Sequence, residues 1–322
     1  MTLCYRAIVL AVLALGINPL SLAQTFPSKP VKIVVPFPPG GSGDLMARVI
    51  GQKLSEGWGQ SVIVDNRPGG GTVIGTEAVA RAPADGYTLL LMANSFTINA
   101  VIRASLPYDP NKDFAPVVLI LISPQVLVVN PVHPAKTFAE FVALAKSEPG
   151  KQSYAAVGPA TTQHIGGEML WALTGVKMVY APYAGGAPAV TALVGGHVDS
   201  VIANYSEVMT QIDAKRLRPL VVTSRERIEP LKDVPTVAES GYRDYDLAAW
   251  FGFIAPAGTP KDVIARINAD VNRVLKMPEV RDKFIAQGLF PLGGTPEEMG
   301  VHIRSEMTKY AKVVKEAGIK VD

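Results

Sequence analysis

Four glycine-rich turns carry the residues best able to do chemistry in this chain: PFPPGGSGD at 36–44, RPGGG at 67–71, GPATTQ at 158–163 and YAGGAP at 183–188. Each follows a short apolar run and precedes a helical pattern, so each ends at a helix N-terminus. A helix start points unpaired N–H groups and a partial positive charge outward, and glycine lets a ligand come close to the backbone. Anion binding is the chemistry this suits. No Lys or Arg falls within 40–44, 69–73, 158–163 or 185–188. The expected donors are therefore neutral: backbone N–H groups and the hydroxyls of Ser42, Thr72, Thr161 and Thr162. Such donors fit a carboxylate better than a polyphosphate, which needs fixed positive charge.

Catalytic and nucleotide motifs fail on inspection. GGSGDLMARVIG at 40–51 lacks the third glycine of the dinucleotide fingerprint, and no Gly-Lys-Ser or Gly-Lys-Thr occurs. Ser42 is outside a Gly-x-Ser-x-Gly elbow because position 44 is Asp. His164 and Glu168 are four apart on a predicted helix, but His133, His197 and His302 have no spacing that completes a metal site. Packing, capping or ligand contact is the expected role of His164. Asp44 and Arg48 read as a helix-start acid paired with its arginine. Phe37, Phe96, Tyr183 and Tyr205 lie in or beside the turns and serve either pocket or core, whereas Trp58 and Trp171 read as core and Trp250 as core or hinge.

These turns need strands and helices to position them. Strand-like runs at 31–35, 61–64 and 87–92 alternate with helical patterns, and the same order recurs with strands at 152–157 and 176–180. Gly40 to Gly69 spans 29 residues and Gly158 to Gly185 spans 27, while Gly86 and Gly196 each precede an asparagine, Asn94 and Asn204, by eight. The spacing predicts an α/β protein of two similarly wound lobes, each a mostly parallel sheet flanked by helices, with a ligand cleft between them. Apolar runs at 120–130 and 217–223 flank the second unit and are expected to pass between lobes. The expected bounds are 24–124 plus 245–322 for the first lobe and 125–244 for an inserted second lobe. Near the end, Thr259-Pro260 starts a helix with Ile264, Ile267, Val271 and Val274 on one face, and Thr295-Pro296-Glu297-Glu298 has a capping-box pattern.

With 48% hydrophobic residues in 322, the chain has enough apolar material for two cores, which excludes disorder. Lys plus Arg number 31 against 28 Asp plus Glu, a scattered excess of +3 that argues against a nucleic-acid surface. Arg6 precedes an unbroken apolar run, Ala7 to Leu15, and Ser21-Leu22-Ala23 follows, which is the pattern of a secretory signal cleaved after Ala23. The run is well short of the roughly 20 residues a membrane span needs. The single cysteine, Cys4, lies in that segment. Disulfides and thiol catalysis are thereby excluded from the mature chain, which suits the periplasm.

The motifs FPSKPVKIVVPFPPGGSGDLMAR at 26–48, VDNRPGGG at 64–71, DGYTLL at 85–90, PYAGGAPAVTALVGGHVD at 182–199 and WFGFIAPAGTP at 250–260 occur in one order along nearly the whole mature chain. In this the sequence resembles the periplasmic solute-binding receptors of tripartite tricarboxylate transporters, also called Bug receptors. The resemblance implies a two-lobed α/β clamp that binds a small carboxylate without a cofactor and serves a permease of one large and one small membrane subunit. It implies a grip through the turns at 36–44 and 158–164. The candidate site read from turns and resemblance comprises Phe37, Pro39, Gly40, Ser42, Gly43 and Asp44, then Asn94 and Ser95, then Gly158, Ala160, Thr161, Thr162 and His164, with Tyr183, Gly185, Gly186, Ala187 and Asn204 completing it. Relatives often carry Gly-Ser where this chain has Ala160-Thr161, Pro159 removes a backbone donor, and Ala184 stands where many have Lys. A neutral, somewhat apolar pocket is expected, favouring a monocarboxylate or aromatic acid over citrate, in a monomeric receptor. Two other readings stay open: a receptor feeding a membrane sensor, and a periplasmic hydrolase or isomerase acting through Ser42, Asp44 or His164.

Overall fold

The run Val31–Val35 (β1) is buried at every position but Lys32 and ends at Pro36, where the chain turns into helix α1, Ser42–Trp58. The computed structural model describes residues 26–158, 161–243 and 245–317. The proposed cleavage site, Cys4, Pro159 and Ala160 lie outside the described residues.

After α1 come β2 (Val62–Asn66), α2 (Val73–Ala80), β3 (Thr88–Ala93) and α3 (Asn94–Ile102). Beyond the long strand β4 (Phe114–Val129) and helix α4 (Phe138–Ser147) the order repeats: β5 (Ser153–Val157), α5 (Thr162–Thr174), β6 (Val179–Tyr183), α6 (Gly186–Val194), β7 (Ser200–Asn204) and α7 (Tyr205–Asp213). The chain closes with β8 (Arg218–Val222), β9 (Ala248–Pro256), α8 (Lys261–Leu275), α9 (Pro278–Ile285), the short β10 (Phe290–Pro291) and α10 (Pro296–Ala317).

Along the sheet the order is β2-β1-β3-β9-β4-β7-β5-β6, so the triplet β2-β1-β3 is mirrored by β6-β5-β7 across the central pair. Within each triplet the pairing is parallel, and β9, β4, β8 and β10 add antiparallel strands, so each lobe's sheet is mixed. The repeat inferred from turn spacing is therefore real in topology. Parallel strands need cover on both faces. In the first lobe α1, α8 and α9 cover one face (Ile50, Leu54, Ile267, Phe284) and α2 with α10 the other (Val79, Met299, Ile303).

Strand β4 is the crossing. Its Pro124 makes the last pair with β9, at Ala248, and its Gln125 makes the first with β7, at Asn204. The expectation for 217–223 needs correcting. That strand, β8, pairs with the second-lobe half of β4 and, through Val222, with Thr236, and the chain returns later, through 245–250 into β9. A strand buried on both faces reads as apolar whether it crosses or stays, and only its pairing separates the two cases.

The return is clamped. Asn94 Nδ2 donates to the Ala248 carbonyl at 3.0 Å and to the Tyr310 hydroxyl at 2.8 Å, and the Trp250 backbone N–H donates to Asn94 Oδ1 at 2.8 Å. Trp250 Nε1 donates to Glu306 at 2.9 Å, and Lys309 Nζ donates to the Asp246 carbonyl at 2.9 Å. Helix α10 thus ties both lobes to the hinge. The capping box is present: Glu298 N–H donates to Thr295 Oγ1 at 3.1 Å and Thr295 N–H to Glu298 Oε2 at 2.7 Å.

Candidate ligand site

The four helix starts divide into two kinds. At α1, Asp44 sits three residues into the helix and its Oδ2 accepts from the Gly40 N–H and from Arg48 Nε, both at 3.0 Å. Its Oδ1 lies 2.9 Å from Arg48 Nη2, and the Arg48 bond above all holds the Asp44 carboxyl down at about 2. At α6 the intruder is remote in sequence. The Glu207 carboxylate accepts the Asn204 N–H at 3.0 Å in the capping box of its own helix and lies so close over Gly186 that any side chain there would have to push it aside. Burial pushes the Glu207 carboxyl up. The start of α1 thus holds an anion of the protein's own, while Glu207 caps α7 and stands over the start of α6.

The starts of α2 and α5 carry no acidic residue in their first turn. Ahead of α2 the backbone runs left-handed through Gly70, Gly71 and Thr72, with φ of 59°, 64° and 82°. Only glycine adopts that conformation freely, so Thr72 holds a strained position. Asn99 Nδ2 fixes the turn by donating to the Gly71 carbonyl at 2.7 Å, and Thr72 Oγ1 donates to Ser95 Oγ at 3.2 Å. At α5 the N-cap is Thr161, whose hydroxyl accepts the His164 N–H at 3.3 Å and donates to the Val157 carbonyl at 2.8 Å.

These two open starts border one cavity of about 370 Å³ between the lobes. Its walls are apolar, from Phe37, Ile98, Ile102 and Phe251, and β9 supplies Ala249 and Phe251 from one face while Trp250 turns to the other. Of the residues expected from sequence, Phe37, Asn94, Ser95, Thr161, Thr162 and Asn204 line it. Pro39, Gly40 and Ser42 are exposed, Gly43 and Asp44 are buried in the first turn of α1, and none of the five lines the cavity. Gly158, His164, Tyr183, Gly185, Gly186 and Ala187 also lie outside the lining, and Ala160 is outside the described residues. The Gly158 N–H donates to the Tyr183 carbonyl at 3.0 Å, which ties those two turns together. Asn94 borders the cavity with its amide already engaged at the hinge.

His164 packs in a polar-aromatic cluster. Its ring stacks on Tyr180 with centroids 4.3 Å apart, its Nε2 is 4.0 Å from Glu168, and the Tyr154 hydroxyl donates to Glu168. Burial lowers the His164 pKa. No group of three or more His, Cys, Asp or Glu among the described residues could hold a metal. Among the other aromatics, Phe96 and Tyr205 are core, 2% and 3% exposed.

The neutral lining expected from the turns is overturned by Arg103. It caps α3, a helix away from any turn, and lines the cavity as the one charged side chain among the described lining residues. Turn composition could not reveal it, because the charge arrives from the far end of a helix. The usable signal was the stripe Ser95, Asn99, Arg103 at four-residue spacing along a helix that also presents Phe96, Ile98, Val101 and Ile102. Gln163, buried in the first turn of α5, was also missed.

A family model described as the tripartite tricarboxylate transporter family receptor matches residues 46–319. The chain belongs to that family. It is 38% identical to BugT of Bordetella pertussis over 301 residues, 93% of this chain and 92% of BugT. An R. palustris protein solved with adipate superposes at TM-score 0.79 with 35% identity, covering 92% of this chain and 99% of that one. MatC of Rhodopseudomonas palustris, solved with bound malate, superposes at TM-score 0.74 with 29% identity over 90% of this chain and 100% of MatC. The fold is the two-lobed periplasmic-binding clamp, and the family consists of periplasmic solute receptors, not enzymes, that work with a transporter permease. No helix among the described residues is long and apolar enough to cross a membrane.

Proposed function

We propose that this protein is secreted by cleavage after Ala23, binds a small carboxylate between its lobes as a monomer, and delivers it to a permease of one large and one small membrane subunit. The lobes are taken as 24–124 plus 245–322 and 125–244, closing by a hinge motion on the ligand. The observation that carries this reading is the interlobe cavity bordered by two helix starts that hold no carboxylate of their own. Adipate and malate in two relatives support the ligand class. Within that class, a monocarboxylate or aromatic acid is favoured over citrate. One cation against walls of Phe37, Ile98, Ile102 and Phe251 balances one carboxylate and shelters an apolar body.

The test is thermal unfolding of Gln24–Asp322 against aliphatic, amino-acid and aromatic carboxylates. A ligand at 100 times its Kd adds about 2.7 kcal/mol. A benzoate-type acid should shift unfolding further than citrate and be recovered unchanged. Citrate binding far more tightly than benzoate would reject the apolar-acid assignment, and silence across the panel would reject the carboxylate itself.

A further inference from the structure

Arg103 reaches back along α3 and is held twice. Its Nε donates to Asn99 Oδ1 at 2.9 Å and its Nη2 to the Gly70 carbonyl at 2.8 Å. Asn99 is 4% exposed and uses both ends of its amide, Oδ1 toward Arg103 and Nδ2 toward the Gly71 carbonyl, so its orientation is fixed by the pair of bonds. The guanidinium plane is thereby set before any ligand arrives, and Nη1 makes no hydrogen bond among the described residues. Nor does Arg103 form an ion pair among them, although it is the one charge in the lining.

We infer that Arg103 receives the ligand's carboxylate, and that Asn99 is the positioning residue that aims it. The inference rests on the carboxylate-receptor reading and goes beyond it by assigning the charge selection to the first lobe. Three features carry it. A guanidinium that faces no carboxylate among the described residues, in a cleft with apolar walls, binds a carboxylate more strongly than neutral donors do, through bonds shortened by full charge. Two of its N–H groups are already spent on the protein, so little side-chain freedom is lost on binding. The rival group in the second lobe is partly committed, since the Thr161 hydroxyl serves as cap and as donor to Val157. With the carboxylate at Arg103, the ligand body runs along Ile98, Ile102 and Phe251 toward the start of α5.

Titration calorimetry with benzoate, adipate and malate, each beside its neutral amide, tests this on the intact receptor and on R103Q, R103K and N99A. The best-binding acid serves as probe. R103Q should weaken that acid about 30-fold, leave its amide within about threefold, and so erase the preference for charge, while R103K recovers part of the loss. N99A should cost the acid roughly fivefold with the amide unchanged, because the guanidinium is still present but no longer aimed. If R103Q weakens acid and amide alike, Arg103 is a clip for the 70–72 turn and the inference fails. If R103Q leaves the acid unaffected, the carboxylate sits at α5 and the inference fails equally. Absence of binding by any acid to the unmodified receptor would instead overturn the carboxylate reading on which this one stands.

Discussion

The start of α1 binds a carboxylate of its own and that of α6 has the Glu207 carboxylate standing over Gly186, whereas those of α2 and α5 carry no acid in their first turn and meet across the cleft. All four follow a strand and a turn that contains glycine. The difference lies in one acidic side chain at each closed start: Asp44 from the helix itself and Glu207 from the neighbouring helix. A glycine-rich helix start is therefore an anion site whose occupant can be internal, and the ligand is left the starts whose first turns carry no acid.

The most drastic way to break the distinction is to close an open start. Thr162→Asp puts an acid in the first turn of α5, and carboxylate affinity should fall about 100-fold, while urea unfolding shows a gain of about 0.5 kcal/mol from the helix dipole. Unchanged affinity would mean that α5 takes no part. Opening a closed start should do the reverse. Glu207→Ala leaves the Asn204 N–H without its acceptor and should lower stability by about 2 kcal/mol in urea, far more than the gain at Thr162.

At the other closed start, Asp44→Ala should cost about 1 kcal/mol at pH 7. The sign of its pH dependence follows from a folded pKa near 2 set against an ordinary value of 3.8. The charged carboxylate stabilises the fold above the ordinary value, and that contribution is lost as pH falls through about 4 toward 2. The gap between the unmodified protein and Asp44→Ala should therefore narrow across that window. A gap that persists at pH 2 would show that shape and not charge closes α1. Smallest is Thr72→Asn, which tolerates the left-handed backbone better and should raise stability by no more than about 0.5 kcal/mol while weakening the ligand a few-fold through loss of the Ser95 hydroxyl contact.

What the sequence made legible were features that chain neighbours determine. The strand-turn-helix repeats, the Asp44–Arg48 pair and the capping box at Thr295 are all settled within four residues or by recurrence. What it concealed depends on elements meeting. Glu207 reaches Gly186 from a neighbouring helix, Arg103 reaches Gly70 from 33 residues away, and β8 stays in its lobe because of a pairing with β4. None of these contacts leaves a local composition signal. The polar stripe on α3 was the exception, since its four-residue period marked a face that the apolar surroundings did not require.

Helix α10 gives Met299 and Ile303 to the first lobe's core and Tyr310 and Val313 to the second's. One helix completes both cores, so its loss removes buried contacts from each lobe at once and couples the stability of the two. A version stopped before Pro296 should be cleaved by protease in both lobes, and a lobe that resisted would show it can close without the strap.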